Sequence, residues 1–486
     1  MQREFSLNII LLISINLLIK PFFIFGIDRT VQNVVEPEIY GTYATLLSFC
    51  YLLQIINDFG IQNFNSREIS QHRQMISKYF PNILVLKTTL AIAFLTVVFV
   101  VGSLAGYTEH WNLLFFLALN QILVSLIFYF RSNLSGLGYY RIDSVLSALD
   151  KFLMVIFCSI LLWVSPFREN FIIDWFIYGQ TAALFLTAIL TFFILMRKIP
   201  ENNSKTKKVS YRFNLPLTLV LLKKSFPFAL VILLMTIYTR IDIIMIDKLL
   251  PEGKFHASVY AAGYRLLDAG NMIGYLFASL LLPMFARMLK IGEPVGKLVQ
   301  TGFKMIFAGS AALAVCVFFF KLEIVELLYV HATPYYGDVL GWLMFSFIAM
   351  TGTYIYGTLL TANGDLMKMN KIFAASIFIN ILLNFFLIPK MAATGAALAT
   401  VITQTGVFLA QVFLSIKLVG LQYKPKMTAQ TILYFFGCFA IAFFIKNQTE
   451  IAPLIQFVIT FGTCLLLAIL IKLLNFRQAF ELIKSK

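Results

Sequence analysis

Apolar runs of about 20 residues recur along the whole chain, separated by short polar segments. Each run is long enough to cross roughly 30 Å of hydrocarbon as an α-helix, which satisfies its own backbone hydrogen bonds in lipid. Windows of about 19 residues place spans at roughly 7–27, 39–60, 79–102, 112–132, 146–166, 171–196, 222–247, 255–286, 301–320, 338–362, 369–389, 393–418, 428–446 and 452–474. The pattern predicts an all-α polytopic membrane protein of about 14 transmembrane helices. The run from Phe5 to Ile27 exceeds the apolar core of a signal peptide and no small-x-small site follows it, so it is expected to be the first span.

Composition sharpens this picture. The chain is 60% hydrophobic and only 13% charged, about half the charge that a soluble domain carries. A soluble protein is excluded. The five cysteines, Cys50, Cys158, Cys316, Cys438 and Cys464, all lie within apolar runs without CxxC or His-pair spacing, and read as small hydrophobes.

The net charge of +16 would suggest nucleic acid in a soluble protein. Sorting the 39 Lys and Arg residues by segment changes its meaning. With the N-terminus cytoplasmic, 27 fall in inside segments and 7 in outside segments. That asymmetry over short loops predicts a multi-pass membrane protein with both termini cytoplasmic, and removes the case for nucleic acid. Five bases remain within spans: Lys20, Lys87, Lys151, Arg240 and Arg265. A charge at that depth costs a few kcal/mol on insertion scales, so it is expected to face a paired or water-filled interior.

Two stretches recur at nearly one offset. "LSGLGYYR" (134–141) follows the fourth span and "LTANGDLMK" (360–368) lies 226 residues later; "EPEIYGTYA" (36–44) and "GKFHASVYAA" (253–262) open the second and eighth spans. The polar stretch "PENNSKTKKVS" reads as a linker. The expected organisation is a six-helix lobe over 1–200, a cytoplasmic linker over 201–221, a second six-helix lobe over 222–420, and two extra helices with a tail over 421–486. The two pseudo-repeat lobes would flank a central cavity.

The chain has no P-loop; "GEPVGKL" (292–298) has the wrong spacing. Its four histidines form no ligand-spaced cluster, so no metal site and no cofactor are expected. Energy would come from a coupling ion, proton or sodium. Polar stripes mark the candidate binding residues. On the eighth span Arg265, Asp268, Asn271 and Tyr275 recur at helical spacing; on the second, Tyr51, Gln54 and Asp58 do so. Lys20 precedes Pro21 on the first span, which carries no carboxylate between 7 and 27; Arg240 lies on the seventh and Lys151 on the fifth, beside Asp150. Internal pairing of these charges is the plain structural alternative. Five bases against four deep acids, Asp58, Asp150, Asp242 and Asp268, favour an anionic ligand such as a phosphate or diphosphate. The GxxxG-type strings GSLAG (102–106) and GNMIG (270–274) read as helix packing.

At "NILLNFFLIPKMAATGAALATVITQ" (380–404), at "VVEPEIYGTYATLLSFCYLLQIINDFGIQNFNSREI" (34–69) and at "LTANGDLMKMNKI" (360–372) the chain resembles the polysaccharide flippases, which handle O-antigen or capsule repeat units, of the multidrug/oligosaccharidyl-lipid/polysaccharide exporter superfamily. The resemblance implies a non-enzymatic transporter that moves an undecaprenyl-diphosphate-linked oligosaccharide across the membrane by alternating access. Implied partners are the lipid-linked substrate, membrane lipid and polysaccharide polymerase machinery. Spans 13 and 14 would resemble the extra pair of the lipid II flippases, which helps form a groove for the lipid tail. A lipid II flippase, a cation-coupled drug exporter and a membrane glycan polymerase stand as alternatives.

Overall fold

A computed structural model describes residues 18–62, 65, 69, 76–199, 215–422, 424–447 and 452–474. Residues 1–17, which include 7–17 of the expected first span, most of the expected linker and the C-terminal tail lie outside the described residues. Among these residues the chain is helical throughout its ordered elements, which we number in chain order. Helix α1 covers 18–34 and includes a π-helical stretch Phe23–Asp28 followed by Arg29–Val34. It is followed by α2 (Pro37–Asp58), α3 (Ile76–Leu104), α4 (Trp111–Gly136), α5 (Tyr140–Trp163), α6 (Ile173–Met196) and α7 (Leu215–Leu249). The later helices are α8 (Gly253–Ile291), α9 (Gly296–Phe319), the short α10 (Lys321–Leu328), α11 (Pro334–Ala362), α12 (Leu366–Val419), α13 (Pro425–Lys446) and α14 (Pro453–Leu470). Proline opens α2, α11, α13 and α14, where its missing N–H and fixed φ cost nothing.

Among the described residues, 12 helices are long and apolar enough to cross a membrane: α2 to α9 and α11 to α14. They account for the second to fourteenth expected spans, because α12 joins two of them. Its 54 residues contain one non-helical residue, Ala392, at φ 50° and ψ −136°. An alanine in this region is strained by its Cβ. The break is held from outside the helix: the Ala393 N–H donates to Tyr335 Oη at 2.8 Å, and the same hydroxyl lies 2.8 Å from His256 Nδ1. Two helices in one apolar stretch are thus separated by one residue and a tyrosine anchor.

The chain divides into two compact units, Met1–Ile244 and Met245–Lys486. The division falls within α7, downstream of the sequence-expected linker. In unit 1, α2 packs on α3 and α4, and α6 packs on α4 and α5. In unit 2, α11 is the central helix, in contact with α8, α9 and α12, while α13 and α14 pack on α9 and on each other. Close approach uses small residues. A Cβ placed on Gly274 would lie 2.3 Å from the Tyr354 ring and one on Gly270 3.1 Å from Phe347, so GNMIG seats two α11 aromatics. In GSLAG only Gly102 packs, against Leu114; nothing lies within 4 Å of a Cβ on Gly106.

Both units use the same turn at the 226-residue offset. After α4, Leu137, Gly138 and Tyr139 donate to the carbonyls of Asn133, Ser135 and Leu134; after α11, Asn363, Gly364 and Asp365 donate to Leu359, Thr361 and Leu360. Gly138 and Gly364 sit at φ +91° and +86°, where a side chain is disfavoured. The recurrence seen in sequence is also a recurrence of backbone hydrogen bonds.

Candidate functional site

The charges that sequence placed within spans fall into distinct groups. In unit 1, Lys87 of α3 is buried and fully engaged: its Nζ lies 2.7 Å from Asp58 Oδ1 of α2 and 2.5 Å from Ser125 Oγ of α4. Ser125 Oγ also lies 3.3 Å from Asp58 Oδ1, and the ammonium stands 5.9 Å from the centre of the Tyr129 ring. Three helices thereby share one buried ion pair. Asn57, beside Asp58, donates to the Gln121 carbonyl at 3.1 Å, adding a second link from α2 to α4.

A second group gathers at α1, α4 and α5. The Lys151 ammonium lies 3.8 Å from Asp150 Oδ2, 3.4 Å from Met154 Sδ and 4.7 Å from the Phe23 ring centre. Arg131 Nε donates to Asp143 Oδ1 at 2.7 Å. Lys20 is half-buried within electrostatic range of Asp150, Lys151 and Arg131. Three bases and two aspartates thus gather in partly buried surroundings where charge is weakly screened, and the buried Asp28 of α1 shares the neighbourhood of Cys158 with Lys151. Sequence assigned Arg131 to the loop after the fourth span and so missed it. The signal was present in its spacing from Phe128, whose ring lies 5.9 Å from the guanidinium carbon, one turn earlier on the same helix.

Arg240 of α7 lies over the Tyr51 ring, 5.0 Å from its centre, so two of the candidate residues meet in a cation–π contact. Gln54 is half-buried on α2, between the levels of Tyr51 and Asp58. Asp28 was not among the expected residues. It lies on α1 beyond the expected span end at Ile27, is 2% exposed, and accepts a hydrogen bond from Tyr40 Oη at 3.1 Å. The expected span 7–27 has no carboxylate of its own, but a six-residue π-helical stretch carries the helix past its expected end to Val34 and places Asp28 within it.

In unit 2 the α8 stripe only borders the face that meets α11: Gly263, Gly270 and Gly274 make that contact, and Tyr275 is 64% exposed. Arg265 and Asp268 are half-buried and Asn271 is buried. Asn271 Nδ2 points at Met350 Sδ at 3.7 Å, and among the described residues its Oδ1 has no hydrogen-bond partner. Tyr354, one turn beyond Met350, lies within electrostatic range of Asp268 and Tyr275. Among the described residues no group of three or more His, Cys, Asp or Glu side chains could hold a metal ion.

Residues 7–289 match the family model of the polysaccharide biosynthesis proteins, more than half of the chain. The protein belongs to this family of multi-pass membrane proteins. An uncharacterised membrane protein of Methanocaldococcus jannaschii is 23% identical over 387 residues, covering 77% of this chain and 89% of that one. Among solved structures, the lipid II flippase MurJ in an inward closed conformation superposes with a TM-score of 0.68 at 15% identity, covering 96% of this chain and 98% of that one. An inward-facing multidrug MATE-family transporter of the MOP superfamily gives 0.61 at 13% identity, covering 82% and 94%. The fold is that of these transporters.

Proposed function

We propose that the protein is a transporter that moves an undecaprenyl-diphosphate-linked oligosaccharide repeat unit across a bacterial cytoplasmic membrane for surface polysaccharide biosynthesis. The observation that carries this reading is the gathering of three bases, Lys20, Lys151 and Arg131, from three helices of unit 1. Arg binds phosphate oxygens in bidentate fashion and Lys as a point charge, so such a group suits a diphosphate and repels a drug cation. Membership of the polysaccharide biosynthesis family supports a lipid-linked glycan as the cargo. A proton or sodium gradient would drive the cycle, and the polymerase machinery would take the product.

The test is export of surface polysaccharide by cells carrying Lys20→Ala, Arg131→Ala or Lys151→Ala. Each is expected to lose export while membrane levels of the protein stay normal. Normal export by all three would remove these residues from transport. The similarity of fold to MurJ favours one second reading, a lipid II flippase. Depletion of the protein separates the two: loss of surface polymer in intact cells supports the first, lysis the second. Incorporation of labelled sugar by the purified protein alone would replace both with a polymerase.

A further inference from the structure

Within unit 2, α9, α11, α12 and α13 enclose a cavity of about 520 Å³, a volume in the range of small-molecule sites. Its walls include Phe303, Phe307, Tyr356, Phe408 and Phe435. The side open to the outside of the bundle is framed by Leu409, Ile432 and Phe436, which are 58%, 53% and 64% exposed. An apolar chain can therefore pass in from the hydrocarbon without crossing polar surface. Helix α13 supplies one wall, and no residue of α14 lines the cavity.

Three lysines gather at the polar end. Lys424 lines the cavity, and its ammonium lies within mutual electrostatic range of Lys304. Lys426 acts on Lys304 in the same way. Lys424 donates to Gln300 Oε1 at 3.1 Å and Lys304 to Gln430 Oε1 at 3.4 Å, both neutral acceptors. Among the described residues no carboxylate pairs with any of the three lysines. The N-terminal ends of α9 and α13, at Gly296 and Pro425, lie at the same end and add the positive poles of two helix dipoles.

We propose that this cavity binds an anionic phospholipid of the bilayer, with one acyl chain between α9, α12 and α13 and the headgroup phosphate on Lys304, Lys424 and Lys426. A bilayer lipid matches the site because its phosphate meets the cationic rim while its acyl chain lies among the apolar walls that open to the hydrocarbon. The inference is independent of the cargo proposed above, since its test reads lipid binding without transport.

The experiment measures binding of dioleoylphosphatidylglycerol and dioleoylphosphatidylcholine to the purified full-length protein in detergent. The wild type is expected to prefer the phosphatidylglycerol. Lys304→Gln/Lys424→Gln should weaken that lipid by about thirtyfold, roughly fivefold per lysine, and leave phosphatidylcholine unchanged. Leu409→Trp, at the cavity mouth, should weaken both lipids. Unfolding temperatures in lipid-free detergent are expected to match the wild type, which separates loss of binding from loss of fold. Equal affinity of the wild type for both lipids, or an undiminished preference in the double variant, overturns the proposal. So does a polyprenyl diphosphate that displaces phosphatidylglycerol through the same lysines, since the cavity would then belong to the cargo.

Discussion

Lys87 and Asp58 are 29 residues apart in sequence and 2.7 Å apart in space, with the lysine side chain 1% exposed. Removing one member of such a pair strands the other charge in an apolar interior, at a cost of about 3–5 kcal/mol. Lys87→Met is therefore expected to lower the unfolding temperature markedly in detergent, and Asp58→Asn/Lys87→Met to recover most of the loss. Export by the stable double variant then decides whether Asp58 acts in transport: unchanged export would confine it to holding α2, α3 and α4 together. Spacing could place both residues in spans, but not show which base meets which acid, because packing of distant helices decides that. Where the partners are sequence neighbours, as with Lys151 and Asp150, the pairing was legible. Asp28 was hidden because the apolar run ends at Ile27, just before Asp28 and Arg29, whereas the helix continues through both.

The turns after α4 and α11 separate what an element takes from its backbone pattern from what it takes from its side chains. Both place a glycine at positive φ and make the same three backbone hydrogen bonds. The following residue differs: Tyr139 lies under Lys198, 5.2 Å from its ring centre, while Asp365 accepts from Asn363 Nδ2 at 2.6 Å and Lys368 Nζ at 2.8 Å. Partial burial raises the Asp365 carboxyl, but the hydrogen bonds from Lys368 and Asn363 and the Lys368 charge together outweigh it and hold the carboxyl below the usual range. A carboxylate lowered on folding stabilises the fold above its unfolded value, and that contribution is lost as pH falls through the folded one. The unfolding temperatures of wild type and Asp365→Asn are thus expected to differ at neutral pH and to converge below the ordinary aspartate value of 3.8. A constant difference across that range would remove the linkage. The glycine spacing was visible in sequence; the joining of two spans in α12 was not, since one strained residue and a tyrosine from another helix carry no periodic signal.

At the scale of the molecule, the distribution of lysine and arginine makes a claim about sidedness that helices alone do not make. Helix α11 rises about 43 Å over its 29 residues, enough to put its two ends on opposite faces of a bilayer. The positive-inside rule assigns its Asn363 end, next to Lys368 and Lys371, to the cytoplasm and its Thr333 end to the outside. The native cysteines favour a clean test, because all five are buried. His331→Cys, at an exposed position before α11, is expected to react with a membrane-impermeant maleimide in intact cells. Met367→Cys, 61% exposed after α11, should react only once the membrane is permeabilised. The reverse pattern would invert the topology. Since α9 runs from the Lys304 end toward α10 and the start of α11, the same labelling fixes the leaflet of the lysine-rimmed cavity. Reaction at position 331 from outside places that rim on the cytoplasmic leaflet, and the anionic lipid with it.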